Sequence, residues 1–381
     1  MIHPKNSSSL VIGLALFSMF FGSGNLIFPM AVGTVSQDGY MAGAFGFVLT
    51  AVLLPFLGVL TMVLFRGDYV RFFSCLGRRG GFVLMLCLLT FWVPLGSAPR
   101  CITLAHSALQ QQLGPAVPLW TFSAIYSLAV FMMTARRNRV IQILGKVLTP
   151  MLLLSLATVF FSGLYFSPGL EEIGGNSWRL FNNGLSEGYN TQDLIASFFF
   201  SSSIIGILQK FPRSEGSTHR PVLTVLRASL IGITILGVVY LGLLYLGATY
   251  ADVLMNVSKD MLLPTLAVHL LGGPLGWVAI VTMILACLTT SVALALVFTN
   301  FVKESVFDNK LSHRWALAGT TFVTFAISTI GFDGIARIVS PAMQVLYPTL
   351  ILLIAFQLGR LAWRKIRAQR MLEQQRLDRI N

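Results

Sequence analysis

Three short clusters place small or hydroxyl-bearing residues inside otherwise apolar sequence. The first is Phe21-Gly22-Ser23-Gly24-Asn25-Leu26-Ile27-Phe28-Pro29. Glycine lets a backbone leave helical geometry, and the freed groups become ligands: N–H for a carboxylate, C=O for a cation. Taken alone, the cluster has a second reading as a packing notch between helices. The second cluster, Phe198-Phe199-Phe200-Ser201-Ser202-Ser203 before Gly206, offers a matching interruption. The third is Ala286-Cys287-Leu288-Thr289-Thr290-Ser291. Hydroxyls in an apolar helix usually bond the carbonyl of the preceding turn. Facing unwound carbonyls, they would instead build an oxygen cage without formal charge, suited to reversible binding of sodium rather than tight binding of calcium. No carboxylate or histidine stands beside Thr289 and Thr290 in the sequence, which favours sodium over a proton as the cation. Were coupling to a proton, His106 or Asp193 would be the candidates.

Other residues carry weaker signals. Arg100, next to Pro99, is either a membrane-interior charge, costing about 2.5–3.5 kcal/mol unless paired or hydrated, or a cation near an outer helix end that reaches water. His106 and His269 are relay candidates, with interfacial placement the plainer reading. Cys75, Cys87, Cys101 and Cys287 lack CxxC spacing and read as packing residues rather than a disulfide or zinc framework. There is no HExxH, and acidic residues are nearly absent from the apolar runs, so enzyme chemistry is not expected.

The elements that must position these clusters are long apolar runs. Of 381 residues, 55% are hydrophobic and 11% charged, which excludes most soluble folds. Ten runs stand out, at about 10–36, 40–65, 81–109, 117–134, 141–164, 189–209, 222–250, 275–301, 314–331 and 337–358. Each is close to the roughly 20 residues that cross a bilayer as helix. Unpaired strands are too costly in hydrocarbon, and the alternation of a barrel is absent. The fold class is therefore an all-α integral membrane protein, with the lipid bilayer as its solvent. The first run outlasts a signal peptide and lacks a small-residue exit, so it is expected to stay.

Of the 27 Lys and Arg, all but Arg100, Arg179, Lys259 and Arg337 fall on the side that holds the N-terminus. That predicts N-in, C-in topology, and it explains a net charge of +13 without nucleic acid. The polar stretch 165–188 divides the runs five and five. Since an odd number of helices per half inverts the second, the division predicts a 5+5 inverted repeat with helices 1 and 6 broken. The units are 1–164, a first five-helix repeat; 165–188, an extracytoplasmic linker; 189–358, a second repeat; and 359–381, a basic cytoplasmic tail. The outer stretch 251–274 reads either as a lid or as an interfacial helix. Gly39, Gly43 and Gly46, and Gly237, Gly242 and Gly247, look like close-packing positions.

The first cluster, Pro99-Arg100, and Ala286-Cys287-Leu288-Thr289-Thr290 together resemble motifs of the bacterial branched-chain amino acid:cation symporters. That family lies in the amino acid–polyamine–cation superfamily, with the leucine-transporter-like fold. Gly188-Tyr189-Asn190-Thr191-Gln192-Asp193 is similar to the family's approach to helix 6. The resemblance implies a sodium site made by carbonyls of Ser18, Phe21 and Ala286 with hydroxyls of Thr289 and Thr290. It implies that the substrate carboxylate meets the amides of Ser23 and Gly24. Asn25 would brace the break or join the substrate shell, and Phe199, Ser201, Ser202 and Ser203 would line the pocket. The implied substrate is a branched-chain or other apolar amino acid (leucine, isoleucine, valine), the coupling ion sodium, the location a bacterial inner membrane, and no cofactor is expected; the alternatives are a proton-coupled carrier for methionine or another neutral amino acid, or a channel or sensor on the same fold.

Overall fold

The computed structural model describes residues 9–135, 149–170, 174–209 and 221–377. Among these there is no strand, and each expected apolar run is mainly helical over its described residues. Among the described residues, five spans are long and apolar enough to cross a membrane, and Leu119–Ala135 and Pro150–Tyr165 are shorter apolar helices. Large apolar side chains cover the outside, such as Phe45, Leu154, Phe322 and Leu352. In water so much exposed apolar surface would be a liability; against lipid it is the solvated face.

The first run is two helices, α1 (Ser9–Phe20) and α2 (Ser23–Ser36). At the break Gly22 is extended, with φ −118° and ψ −162°. The second run is α3 (Tyr40–Val48) and α4 (Leu54–Leu64), joined by a π turn at Leu49–Leu53. After a short α5 (Tyr69–Phe73), α6 (Gly77–Trp92) continues through a π turn at Val93–Ser97 into α7 (Ala98–Leu113). Then come α8 (Leu119–Ala135) and α9 (Thr149–Tyr165).

The second half opens with α10 (Ser177–Asn190) and α11 (Asp193–Gln209), separated by Thr191 and Gln192. Two expectations are corrected here. The second half of the stretch read as a linker, from Ser177, is the helix α10, and the interruption falls at Thr191–Gln192 instead of at the serines. Ser201 and Ser203 donate to the carbonyls of Ser197 and Phe199. Hydroxyls satisfied within their own helix leave it continuous. Gln192 adopts φ +64°, a left-handed conformation unusual for a side chain of its size. It is held by Ser97, whose hydroxyl donates to the Gln192 amide oxygen at 2.8 Å.

The remaining elements are α12 (Pro221–Thr249), α13 (Ala251–Leu254), a 3-10 turn at Lys259–Met261, α14 (Leu262–Leu271), α15 (Gly273–Phe301), α16 (His313–Ser328) and α17 (Gly331–Leu377). The basic tail thus continues the last helix, with Arg367 lying over the Trp363 ring. At 47 residues α17 extends about 70 Å, well beyond the roughly 30 Å of hydrocarbon.

Backbone approaches lock the broken helices in place. A Cβ on Gly46 would lie 2.1 Å from the Phe181 carbonyl oxygen, and one on Gly184 2.0 Å from that of Gly43, so α3 and α10 pack main chain to main chain. Such stripes of small residues give packing in a lipid where the hydrophobic effect does not drive helices together. Two buried clusters form the interior. One contains Phe28, Met30, Tyr240 and Leu266, and the other Phe20, Trp92, Phe198, Phe200 and Phe301. Both helix breaks lie along the seam between them.

Candidate functional site

Because α2 starts in mid-bundle, the amides of its first turn have no helical acceptor and point where an anion is favoured. Asn25 satisfies one orphan, its side-chain oxygen accepting from the Gly22 amide at 2.9 Å. Pro29, inside α2, removes the backbone donor that the Asn25 carbonyl would otherwise receive. On the other side of the break, the Phe21 carbonyl accepts from the Thr290 hydroxyl at 2.9 Å. Gly22 is needed for this approach, since a Cβ there would meet the Thr290 methyl at 2.9 Å.

The second break is tied to the first. Asn25 donates to both carboxylate oxygens of Asp193, at 2.9 and 3.1 Å. The Tyr240 hydroxyl of α12 donates to the same carboxylate. Thr191 closes α10 by donating to the Gly188 carbonyl at 2.8 Å and accepts from the Asp193 amide. A narrow cavity of about 20 Å³ lies between the breaks, walled by Gly22, Ser23, Gly24 and Asn25, by Thr191, Asp193, Ala196 and Phe200, and by Ser97, Cys101 and Thr290. That is room for about one water, so an amino acid enters only when the surrounding helices part.

The predicted residues divide on this geometry. Ser23, Gly24, Asn25 and Thr290 line the cavity, and Phe21 reaches its edge through its carbonyl. Thr289 donates to the Ala286 carbonyl at 2.7 Å, the ordinary back-bond of a helical threonine. Ser18 falls in α1, with its side chain outside the described residues. Phe199 and the three serines do not line this cavity. Phe199 packs against Trp92, Tyr69 and Phe198, and the Ser202 hydroxyl donates to the Gly67 carbonyl. One helical step brings Phe200 and Ala196 to the wall in their place.

Asp193 overturns the expectation that no titratable group attends the hydroxyl cluster, since it lines the same cavity as Thr290. The sequence signal was available: a lone carboxylate bordering an apolar run is a functional-site candidate by default. Tyr240 carried no such signal.

Above the cavity, Arg100 is 4% exposed and donates to the Asn190 carbonyl at 3.4 Å, at the negative end of α10. A buried cation bonded to a helix C-terminus does not reach water through its own exposure, as the snorkelling reading required. Phe28 lies between Arg100 and Lys259, whose cationic groups stand 6.0 and 5.9 Å from its ring centroid. Lys259 pairs with Glu187 of α10 at 2.7 Å, and Ser107 donates to Asp260. His106 is buried, its Nε2 2.8 Å from the Val117 carbonyl.

The chain matches the family described as branched-chain amino acid transport protein over residues 5–373. It belongs to that family. Among curated relatives, a Staphylococcus epidermidis protein is 28% identical, covering 92% of this chain and 82% of its own length. A Staphylococcus aureus protein is 27% identical with the same coverage, and both carry the provisional name of branched-chain amino acid carrier protein. Among solved structures, Mhp1, a nucleobase-cation-symport-1 family transporter bound to bromovinylhydantoin, superposes with a TM-score of 0.61 at 15% identity. That match covers 92% of this chain and 77% of Mhp1. MhsT in complex with L-phenylalanine gives 0.59 at 15% identity, covering 93% and 89%. These neighbours share the leucine-transporter-like fold with the chain. The branched-chain family member described here is accordingly a multi-pass membrane transporter of the amino acid carrier class, not an enzyme.

Proposed function

We propose that this chain is a sodium-driven symporter importing leucine, isoleucine, valine or closely related apolar amino acids across a bacterial cytoplasmic membrane. The observation that carries the reading is the meeting of both helix breaks at one buried cavity, where free amides of α2 face Thr191 and Asp193. The amides of Ser23 and Gly24 suit the substrate carboxylate, and the apolar wall of Phe200, Ala196 and Trp92 suits a hydrocarbon side chain. The Phe21 carbonyl and the Thr290 hydroxyl are two neutral oxygens in contact, the donor chemistry a sodium ion accepts. Thr289 and the Ala286 carbonyl, next along α15, and the Ser18 carbonyl would complete the set. The relatives' names favour branched-chain substrates, and L-phenylalanine in MhsT fits an apolar amino acid on this fold.

Transport runs by alternating access. The two five-helix halves form an inverted repeat around the fixed site, and a cavity this small must open to one side at a time. Both termini are cytoplasmic, on the charge asymmetry of the loops. Single cysteines within 165–170 should then react with an impermeant thiol reagent from outside, and cysteines after Arg364 should not.

A second reading, proton coupling, is favoured by one observation, the carboxylate of Asp193 on the cavity wall. Uptake of leucine into proteoliposomes under a sodium gradient, a proton gradient, or neither separates the two. Accumulation that needs sodium and ignores the proton gradient supports the symporter proposed here; the reverse result rejects it.

A further inference from the structure

Asp193 is 1% exposed and holds its carboxylate away from water. Its hydrogen-bond donors, the Asn25 amide and the Tyr240 hydroxyl, are both neutral. Lys259 pairs with Glu187, and Arg100 turns its guanidinium to the Asn190 carbonyl; among the described residues no cationic side chain pairs with Asp193. A buried carboxylate in that condition is costly, and buried charges are ordinarily matched by an opposite one. The carboxylate is also on the cavity wall, opposite the start of α2 with its anion-seeking amides at Ser23 and Gly24. One wall therefore attracts negative charge and the other positive charge. An α-amino acid carries both charges on a single carbon.

We infer that Asp193 receives the α-ammonium group of the substrate, so that the substrate itself supplies the counter-charge this buried carboxylate lacks. The inference rests on the amino acid reading above and deepens it: selection for the free amine is assigned to one side chain. Tyr240 and Asn25 act as positioning residues that hold the carboxylate in the wall while the substrate is absent. Asn25 also caps the helix 1 break through the Gly22 amide, so docking of the ammonium group is registered at both breaks at once.

The test is competition binding to the full-length carrier in proteoliposomes, at fixed sodium, with three probes. These are leucine, 4-methylpentanoate, which lacks only the amine, and leucinol, which lacks the carboxylate. Wild type should prefer leucine to 4-methylpentanoate strongly. Asp193→Asn should cut that preference by about thirtyfold or more, as expected for loss of a buried charge pair, and leave the preference over leucinol nearly unchanged. Tyr240→Phe keeps the carboxylate but removes a donor that holds it in the wall, so it should lower the preference for the amine several-fold, less than Asp193→Asn does. It carries the test alone if Asp193→Asn does not fold. An amine preference unmoved in the variants overturns the inference. So does a loss confined to sodium dependence, which would make Asp193 a ligand of the coupling ion. A wild type that binds no apolar amino acid rejects the function proposed above, and this inference with it.

Discussion

The Thr290 hydroxyl donates to the Phe21 carbonyl across 2.9 Å, joining residues 269 apart in the sequence at the point where helix 1 breaks. Its neighbour Thr289 instead bonds three residues back along its own helix, to Ala286. The two threonines are alike in sequence and unlike in position, so their isosteric replacements should differ. Thr290→Val removes the proposed cation ligand at the break and should weaken sodium affinity by about tenfold, or ~1.4 kcal/mol. Thr289→Val loses a back-bond and at most an outlying ligand, so the shift should be smaller. The measurement is leucine uptake against sodium concentration for each variant. Equal shifts, or a larger one for Thr289→Val, would remove Thr290 from its leading place in the site.

Gly24 tests the other half of the break. A Cβ at this position would stand 3.2 Å from the Phe28 ring and 3.3 Å from the Thr191 backbone. Gly24→Val should therefore push the two breaks apart, with a large loss of leucine binding and normal insertion into the membrane. Fluorescence-detected gel filtration checks the insertion, and binding checks the site. Normal transport by Gly24→Val would place the carboxylate seat elsewhere.

These two positions also mark what could be read from the sequence. The helix 1 break was legible because its causes are local: Gly22, Gly24 and Asn25 lie together in an apolar run, and Asn25 caps the break it helps to make. The helix 6 break was not. Ser201 and Ser203 imitate an interruption, yet their hydroxyls bond within the helix, whereas the true break at Gln192 has no glycine or proline to announce it. Its support comes from Ser97, 95 residues away. Asp193 likewise finds Asn25 and Tyr240 only through the fold, at separations of 168 and 47 residues. Apolar run lengths fix the helices, and contacts across the two halves decide which residues of each helix face the cavity.

The glycine stripe between α3 and α10 makes a prediction about stability. In Gly184→Val a new Cβ would sit 2.0 Å from the Gly43 carbonyl oxygen, a backbone atom that cannot rotate away. Overpacking of this kind costs roughly 1–3 kcal/mol, and the rigidity of the neighbour puts this case at the upper end. Gly319 on α16 is exposed and has nothing within 4 Å of its would-be Cβ. Gly319→Ala should be neutral or stabilise by about 0.5–1 kcal/mol through helix propensity. Thermal melting of the detergent-solubilised variants compares them. Similar melting temperatures would mean that α3 and α10 separate more easily than their contact implies.

The pair Glu187–Lys259 ties α10 to the segment that covers the side of the site proposed to face outward. The Lys259 side chain is 48% exposed and that of Glu187 12%, so the pair contributes little to stability, about 0–1 kcal/mol. Its place gives it a larger part in the balance between open and closed outer faces. Lys259 also lies over Phe28, and the adjacent Asp260 accepts from Ser107 of α7, so releasing Lys259 loosens a cover shared by α2, α7 and α10. Cys101, fully buried on the cavity wall beneath this cover, is a native reporter. With Cys75, Cys87 and Cys287 replaced, an impermeant methanethiosulfonate reagent added outside should modify Cys101 slowly, and saturating leucine should slow it further. Glu187→Gln should raise the rate by about two- to fivefold, because a ligand-free equilibrium shifts by the free energy of the contact removed. Lys259→Gln should do the same, and the double variant should be no faster than either single one, since both remove one interaction. Additive rates would show that the two residues act separately, and an unchanged rate in Glu187→Gln would mean that the outer face is held shut by packing around Phe28 rather than by charge.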